Sequence, residues 1–144
     1  MAQAFAYYDF TGTDTALDAP GRIQYHAGTV AEKYHINASN FEWGYVTPDD
    51  HWDNYWRQGQ NTYLGWDSGL PGTGSGAKSL GQELSHTEAF AECQVEKVFK
   101  TVCLRAPADS ADRAQVSTMV NSFKSNGYKL KQTFAEAAVY CMGD

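Results

Sequence analysis

From residue 78 onward, apolar side chains return every three or four positions, and recognisable stops cut the pattern into helices. A short helix is predicted over 79–84. Thr87 and Glu88 open a second, in which Ala91, Val95, Val98, Phe99 and Val102 fall on one side as far as Cys103. Pro107 stops it. Asp109 or Ser110 caps a third, with Val116, Met119, Val120 and Phe123 as its stripe. Asn126 and Gly127 end that helix as a left-handed cap does. The last runs over about 129–142, with Leu130, Phe134, Ala137, Ala138 and Cys141 inward. None of these helices can bury its stripe alone. The short loops make neighbours antiparallel, so an up-down-up bundle follows.

Before residue 67 no long helical period exists. The first ten residues read as the end of a helix, with Ala2, Phe5 and Ala6 on one side, and 11–14 as a turn. The stretch 21–26 alternates apolar and polar as a half-buried strand does. The stretch 30–36 fits strand or helix, and Phe41-Glu42-Trp43-Gly44-Tyr45-Val46 fits a short strand. Thr47-Pro48-Asp49-Asp50 carries a capping threonine, a first-turn proline and two acids at the positive helix end. It predicts a short helix over 48–58, with Trp52, Tyr55 and Trp56 on one face. Four glycines, a proline and two serines within 67–77 predict a loop or linker. The expected fold is mainly α. A bundle of three to four short helices (78–142) packs on an aromatic-rich, largely irregular half (1–66) with short strands and one short helix. All of it forms one domain, 1–144.

Charge and aromatic content change at the same place. Residues 1–70 hold nine acids and three bases, so the net charge of −6 resides there. That half repels nucleic acid, and the balanced remainder offers no basic stripe to hold it. Fourteen of the twenty aromatic residues precede residue 67. Rings among acids and amides build either a core or a sugar-binding platform, and their large buried area favours a core. No apolar run reaches the roughly 18–20 residues of a membrane span. The first residues carry no basic and apolar signal sequence. The chain is therefore cytosolic, processed, or a piece of a longer protein.

The segment Gly72-Thr73-Gly74-Ser75-Gly76-Ala77-Lys78-Ser79 approaches a phosphate loop. It has alanine where the glycine before the lysine belongs, and no parallel sheet to sit in, so a flexible linker explains the glycines better. His26, His35, His51 and His86 form no zinc-ligand spacing. No nucleophile elbow marks a hydrolase. The densest polar and aromatic run is 48–56. On a helix its Asp49 and Asp53 share a face, where two carboxylates can help hold Ca²⁺ or act as an acid/base pair; an acidic first turn is the simpler explanation. Asp49, Asp53, Trp52 and Trp56 are thus the binding candidates, and a metal set beyond the two acids is not legible. Cys103 and Cys141 end the two parallel helices on their apolar faces. Their Cα atoms can approach the roughly 4.4–6.8 Å of a disulfide; two buried thiols fit equally. Cys93 is expected to be free and buried.

Leu80 and Leu84, Phe90-Ala91-Glu92-Cys93, Leu104-Arg105-Ala106-Pro107 and Gly127-Tyr128-Lys129-Leu130 follow a familiar order. Residues 79–142 resemble the small helical C-terminal domains of secreted bacterial proteins of the planctomycete cytochrome-associated type. There a Leu…Leu, Phe-x-x-Cys, Gly-Arg-x-Pro, Gly-Tyr-x-Leu run recurs; this chain has Leu104 at the glycine. The resemblance implies export to the periplasm or cell surface and association with large multidomain proteins. It implies no catalytic residues, and structural places for Cys93 and for Arg105, which at a helix end can bind exposed carbonyls. An oxidising location favours the Cys103–Cys141 disulfide. The expected function is therefore a non-catalytic binding or assembly domain of an exported bacterial protein, with a protein or glycan partner or the rest of a longer chain. The rivals are an accessory domain that docks a basic cytochrome through its acidic half in extracytoplasmic electron transfer, and a carbohydrate-active enzyme or glycan-binding module using Asp49 or Asp53 with Trp52 and Trp56 as a platform.

Overall fold

The computed structural model describes residues 2–11, 22–34 and 47–142. Its contacts divide the chain into two compact units, Met1–Arg57 with Leu70–Gln82, and Gln58–Gly69 with Glu83–Asp144. The protein is mainly α, with a helical C-terminal part.

In the first unit a 3-10 turn, Ala2–Phe5, leads into β1 (Tyr8–Thr11), which pairs antiparallel with β2 (Arg22–Tyr25). A helix end expected over the first ten residues is thus only this one turn. A second 3-10 turn, Glu32–Tyr34, settles part of the ambiguous 30–36 stretch. The strand expected over 41–46 lies outside the described residues.

The short helix expected from Pro48 does not form. β3 (His51–Asp53) takes its place and pairs with β4 (Thr73–Ser75), and the 3-10 turn Tyr55–Arg57 follows. No helix starts at Thr47, the expected cap; Asp49 Oδ1 instead accepts the His51 amide at 2.9 Å in a turn, a local bond that competes with helix formation. β3 alternates outward His51, inward Trp52, outward Asp53. Trp52 is buried with Ala4 and Leu80, and its Nε1 donates to Ser79 Oγ at 2.9 Å.

That indole explains the glycines read above as a linker. Gly74 faces it, and a Cβ there would lie 2.9 Å from Trp52 Cζ2 and 2.8 Å from Ser79 Oγ. Gly74→Ala is expected to destabilise the first unit by about 1–3 kcal/mol through this overlap. Thermal denaturation monitored by tryptophan fluorescence checks it, and an unchanged midpoint would show that the strand yields freely.

α1 (Gly76–Ser85) begins in the first unit and ends in the second. The second unit then holds α2 (Glu88–Cys103), α3 (Ser110–Ser125) and α4 (Leu130–Met142), each packed on the other two. Thr87 Oγ1 accepts the Phe90 amide at 3.2 Å and Asp109 Oδ1 accepts the Asp112 amide at 2.8 Å, so the expected caps start α2 and α3. α2 ends before Pro107 is reached, at Leu104, which holds the left-handed φ of 55°. α3 ends at Gly127, φ 70°: its amide donates to Lys124 O, the Tyr128 amide donates to Phe123 O, and the Tyr128 ring packs edge-on against Phe123. The core takes Ala91, Val95, Val98 and Phe99 from α2, and Met119, Val120 and Phe123 from α3, as their spacing predicted.

α4 keeps part of its expected face: Ala137 is buried and Cys141 reaches Cys103, but Leu130 and Phe134 are exposed and Thr133 is buried instead. Small side chains let α4 approach its neighbours closely, and the Tyr140 ring lies 5.9 Å from Phe99. Thr133 Oγ1 is left buried without a hydrogen-bond partner. Thr133→Val, which keeps the shape and removes the orphaned hydroxyl, is expected to raise stability by about 1 kcal/mol in urea denaturation. A loss would mean that the hydroxyl has a partner in solution.

Candidate functional site: an aromatic cleft and a fastened bundle end

The sequence candidates of the 48–56 run do not converge. Trp52 is 3% exposed and has no face left for a ligand. Asp49 is committed to the turn, accepting also from Gln3 Nε2 at 3.3 Å. Asp53 is exposed, with its Oδ2 3.6 Å from His51 Nε2 across one strand face. Trp56 is exposed beside Tyr55. The helical face that was to align Asp49 with Asp53 for Ca²⁺ or acid/base work is absent, because both flank or belong to β3. Among the described residues, no group of three His, Cys, Asp or Glu side chains is placed to hold a metal.

The apolar surface of the first unit lies instead on β1 and β2. The register sets Tyr8 opposite Tyr25 and Phe10 opposite Ile23, and a period of two puts all four on one face. Among the described residues neither core cluster includes that face: Phe10 is 51% and Ile23 74% exposed. The Tyr8 and Tyr25 rings lie 5.1 Å apart, and Phe5 stands 6.2 Å from Tyr8. Phe5, Tyr8, Phe10 and Ile23, with Lys33 and Tyr34, line an open cleft of about 420 Å³, to which Asp9 also contributes. Lys33 Nζ sits 5.3 Å from the centroid of the Tyr34 ring. The alternation Tyr8-x-Phe10 and Ile23-x-Tyr25 was visible in the sequence, but only the pairing register unites the two rows.

In the second unit the C-terminal ends of α2 and α4 meet the N-terminus of α3. Cys103 and Cys141 form the disulfide there, with Cα atoms 5.5 Å apart, as the parallel order of the two helices allows. Beside it lies Asp112, 1% exposed. Its carboxylate accepts both arms of the Arg105 guanidinium, the Ala108 amide at 2.8 Å and the Tyr140 hydroxyl at 3.0 Å. The Arg105 fork, then the Ala108 amide and Tyr140, hold the Asp112 carboxyl far below its ordinary range, although burial pushes the other way. The same pairing raises the Arg105 pKa, while burial first and then the bond to Asp112 raise that of Tyr140. Arg105 thus grips a carboxylate, not the helix-end carbonyls expected of it. Its guanidinium also lies over Phe99, 5.6 Å from the ring centroid. Cys93 is free, and it is exposed rather than buried. No family model, no curated protein and no solved structure matches the chain.

Proposed function

We propose that the protein is a non-catalytic binding domain of an exported bacterial protein, in which the fastened bundle is the scaffold and the cleft on β1 and β2 meets the ligand. The observation that carries the reading is the exposed face of Phe5, Tyr8, Phe10 and Ile23. Aromatic area that serves no core yet shares a cleft with a few polar groups is the make-up of a ligand site. Export draws support from the disulfide, a bond that persists in oxidising compartments, and no described helix is long and apolar enough to cross a membrane. The resemblance to the planctomycete-type domains draws support from Leu104: its left-handed backbone suits the glycine those domains carry there.

Mapping with small organic molecules tests the reading without knowledge of the ligand. Phenol and isopropanol, added to the isotope-labelled protein, are expected to shift the amide resonances of Phe5, Tyr8, Phe10 and Tyr34 first. Shifts confined to the exposed α4 residues Leu130 and Phe134 would take the binding role away from the cleft.

A further inference from the structure

The chemistry of the cleft narrows what it holds. Two residues of opposite charge, Asp9 and Lys33, line it. A cation entering the cleft meets Lys33, and an anion meets Asp9 in a chain of net charge −6. A wholly apolar ligand strips water from both charges and from the tyrosine hydroxyls without replacing the lost hydrogen bonds. A neutral polyhydroxylated ring avoids all three costs. Its C–H face lies on Phe5, Tyr8 and Phe10, and its hydroxyls donate to Asp9 and accept from Lys33. The tilted rings (57° between Phe5 and Tyr8) and the open shape give an extended platform rather than a closed box. Resting on the binding-domain reading above, we propose that the cleft binds a neutral carbohydrate, with Phe10 as the stacking ring and Asp9 and Lys33 as the hydroxyl partners.

Asp9 already accepts the Phe10 amide through Oδ1 at 2.8 Å. Asp9 alternates away from Tyr8 and Phe10 along β1, and this bond folds its carboxylate back along the strand at the rim of the cleft, where Oδ2 is to accept from a sugar hydroxyl. Loss of either feature therefore has a separate signature. Phe10→Ala removes the stack, and Asp9→Asn removes the charge from the hydroxyl contact while the ring remains.

The experiment is a titration of the labelled full chain with cellohexaose, xylohexaose, mannohexaose, maltohexaose and chitohexaose. Polygalacturonate, decaproline and phenol serve as comparators. At least one neutral oligosaccharide is expected to give saturable shifts centred on Tyr8, Phe10 and Lys33. Phe10→Ala is expected to weaken it about tenfold, and Asp9→Asn by about threefold. The amide spectra of the variants verify that both are folded. If only polygalacturonate, decaproline or phenol reaches the cleft, the carbohydrate proposal is overturned and the binding-domain reading stands. If nothing reaches it, both fall. Sugar-induced shifts centred elsewhere also overturn the proposal.

Discussion

Asp112→Asn is expected to lower the melting temperature by roughly 10 °C or more at neutral pH, the largest loss from any single charged residue described in the protein. The carboxylate is buried, accepts from three different residues and sits at the N-terminus of α3, where negative charge is favoured. An amide in its place accepts through one oxygen only and sets its NH₂ group against the Arg105 fork. The pH dependence gives the second signature. The folded carboxyl titrates below its ordinary value of 3.8, so on acidification the unfolded chain takes up the proton first. The contribution of this group is whole above about pH 5 and is lost progressively below about pH 4. The gap in melting temperature between the native chain and Asp112→Asn is therefore expected to be widest near pH 6–7 and to narrow steadily as the pH falls below about 4. A gap that stays constant with pH would mean that the carboxylate is not held ionised by its donors.

Replacing both Cys103 and Cys141 by serine is expected to cost about 3–4 kcal/mol, because the bond closes a long loop, with 38 residues of sequence separation. Reduction of the native chain should lower the melting temperature comparably, and the double variant should be insensitive to reductant. Equal melting of oxidised and reduced protein would remove the disulfide from the scaffold argument. This bond and the Asp112 contacts close the same bundle end, since Arg105 lies two residues beyond Cys103 and Tyr140 immediately precedes Cys141. Their losses are expected to be non-additive in a double-mutant cycle.

The helices were legible because each carries redundant local signals. Thr87, Asp109 and Gly127 mark ends, and the stripe from Val95 to Phe99 faces one way whatever packs on it. Helix order put Cys103 and Cys141 within reach of each other, and the oxidising location implied by the resemblance favoured the bond over two thiols. The inward face of α4 was legible only in part: Ala137 is buried as expected, but Leu130 and Phe134, its larger apolar side chains, are exposed, and close approach and the reach of Tyr140 to Asp112 favour Thr133 in their place. β3 and β4 were hidden for a different reason. Asp49 bonds the His51 amide in a turn where a helix was expected, and Gly74 is small because an indole lies against it. Little of the site could be read. Aromatic enrichment of the first half pointed to the right region, but the dense 48–56 run drew attention to Trp52, which is core. The cleft depends on the pairing of Phe10 with Ile23, a long-range fact that no local pattern encodes.

On the proposed reading the protein is an oxidised domain that works outside the cytoplasm, and its thiols in the protein isolated from its own source test that most directly. Alkylation without reduction, followed by intact mass, is expected to find one modified cysteine, the exposed Cys93, with Cys103 and Cys141 unreactive. Three modified cysteines would contradict the account: the bundle would then be unfastened in its natural setting, and the argument for export would go with the disulfide.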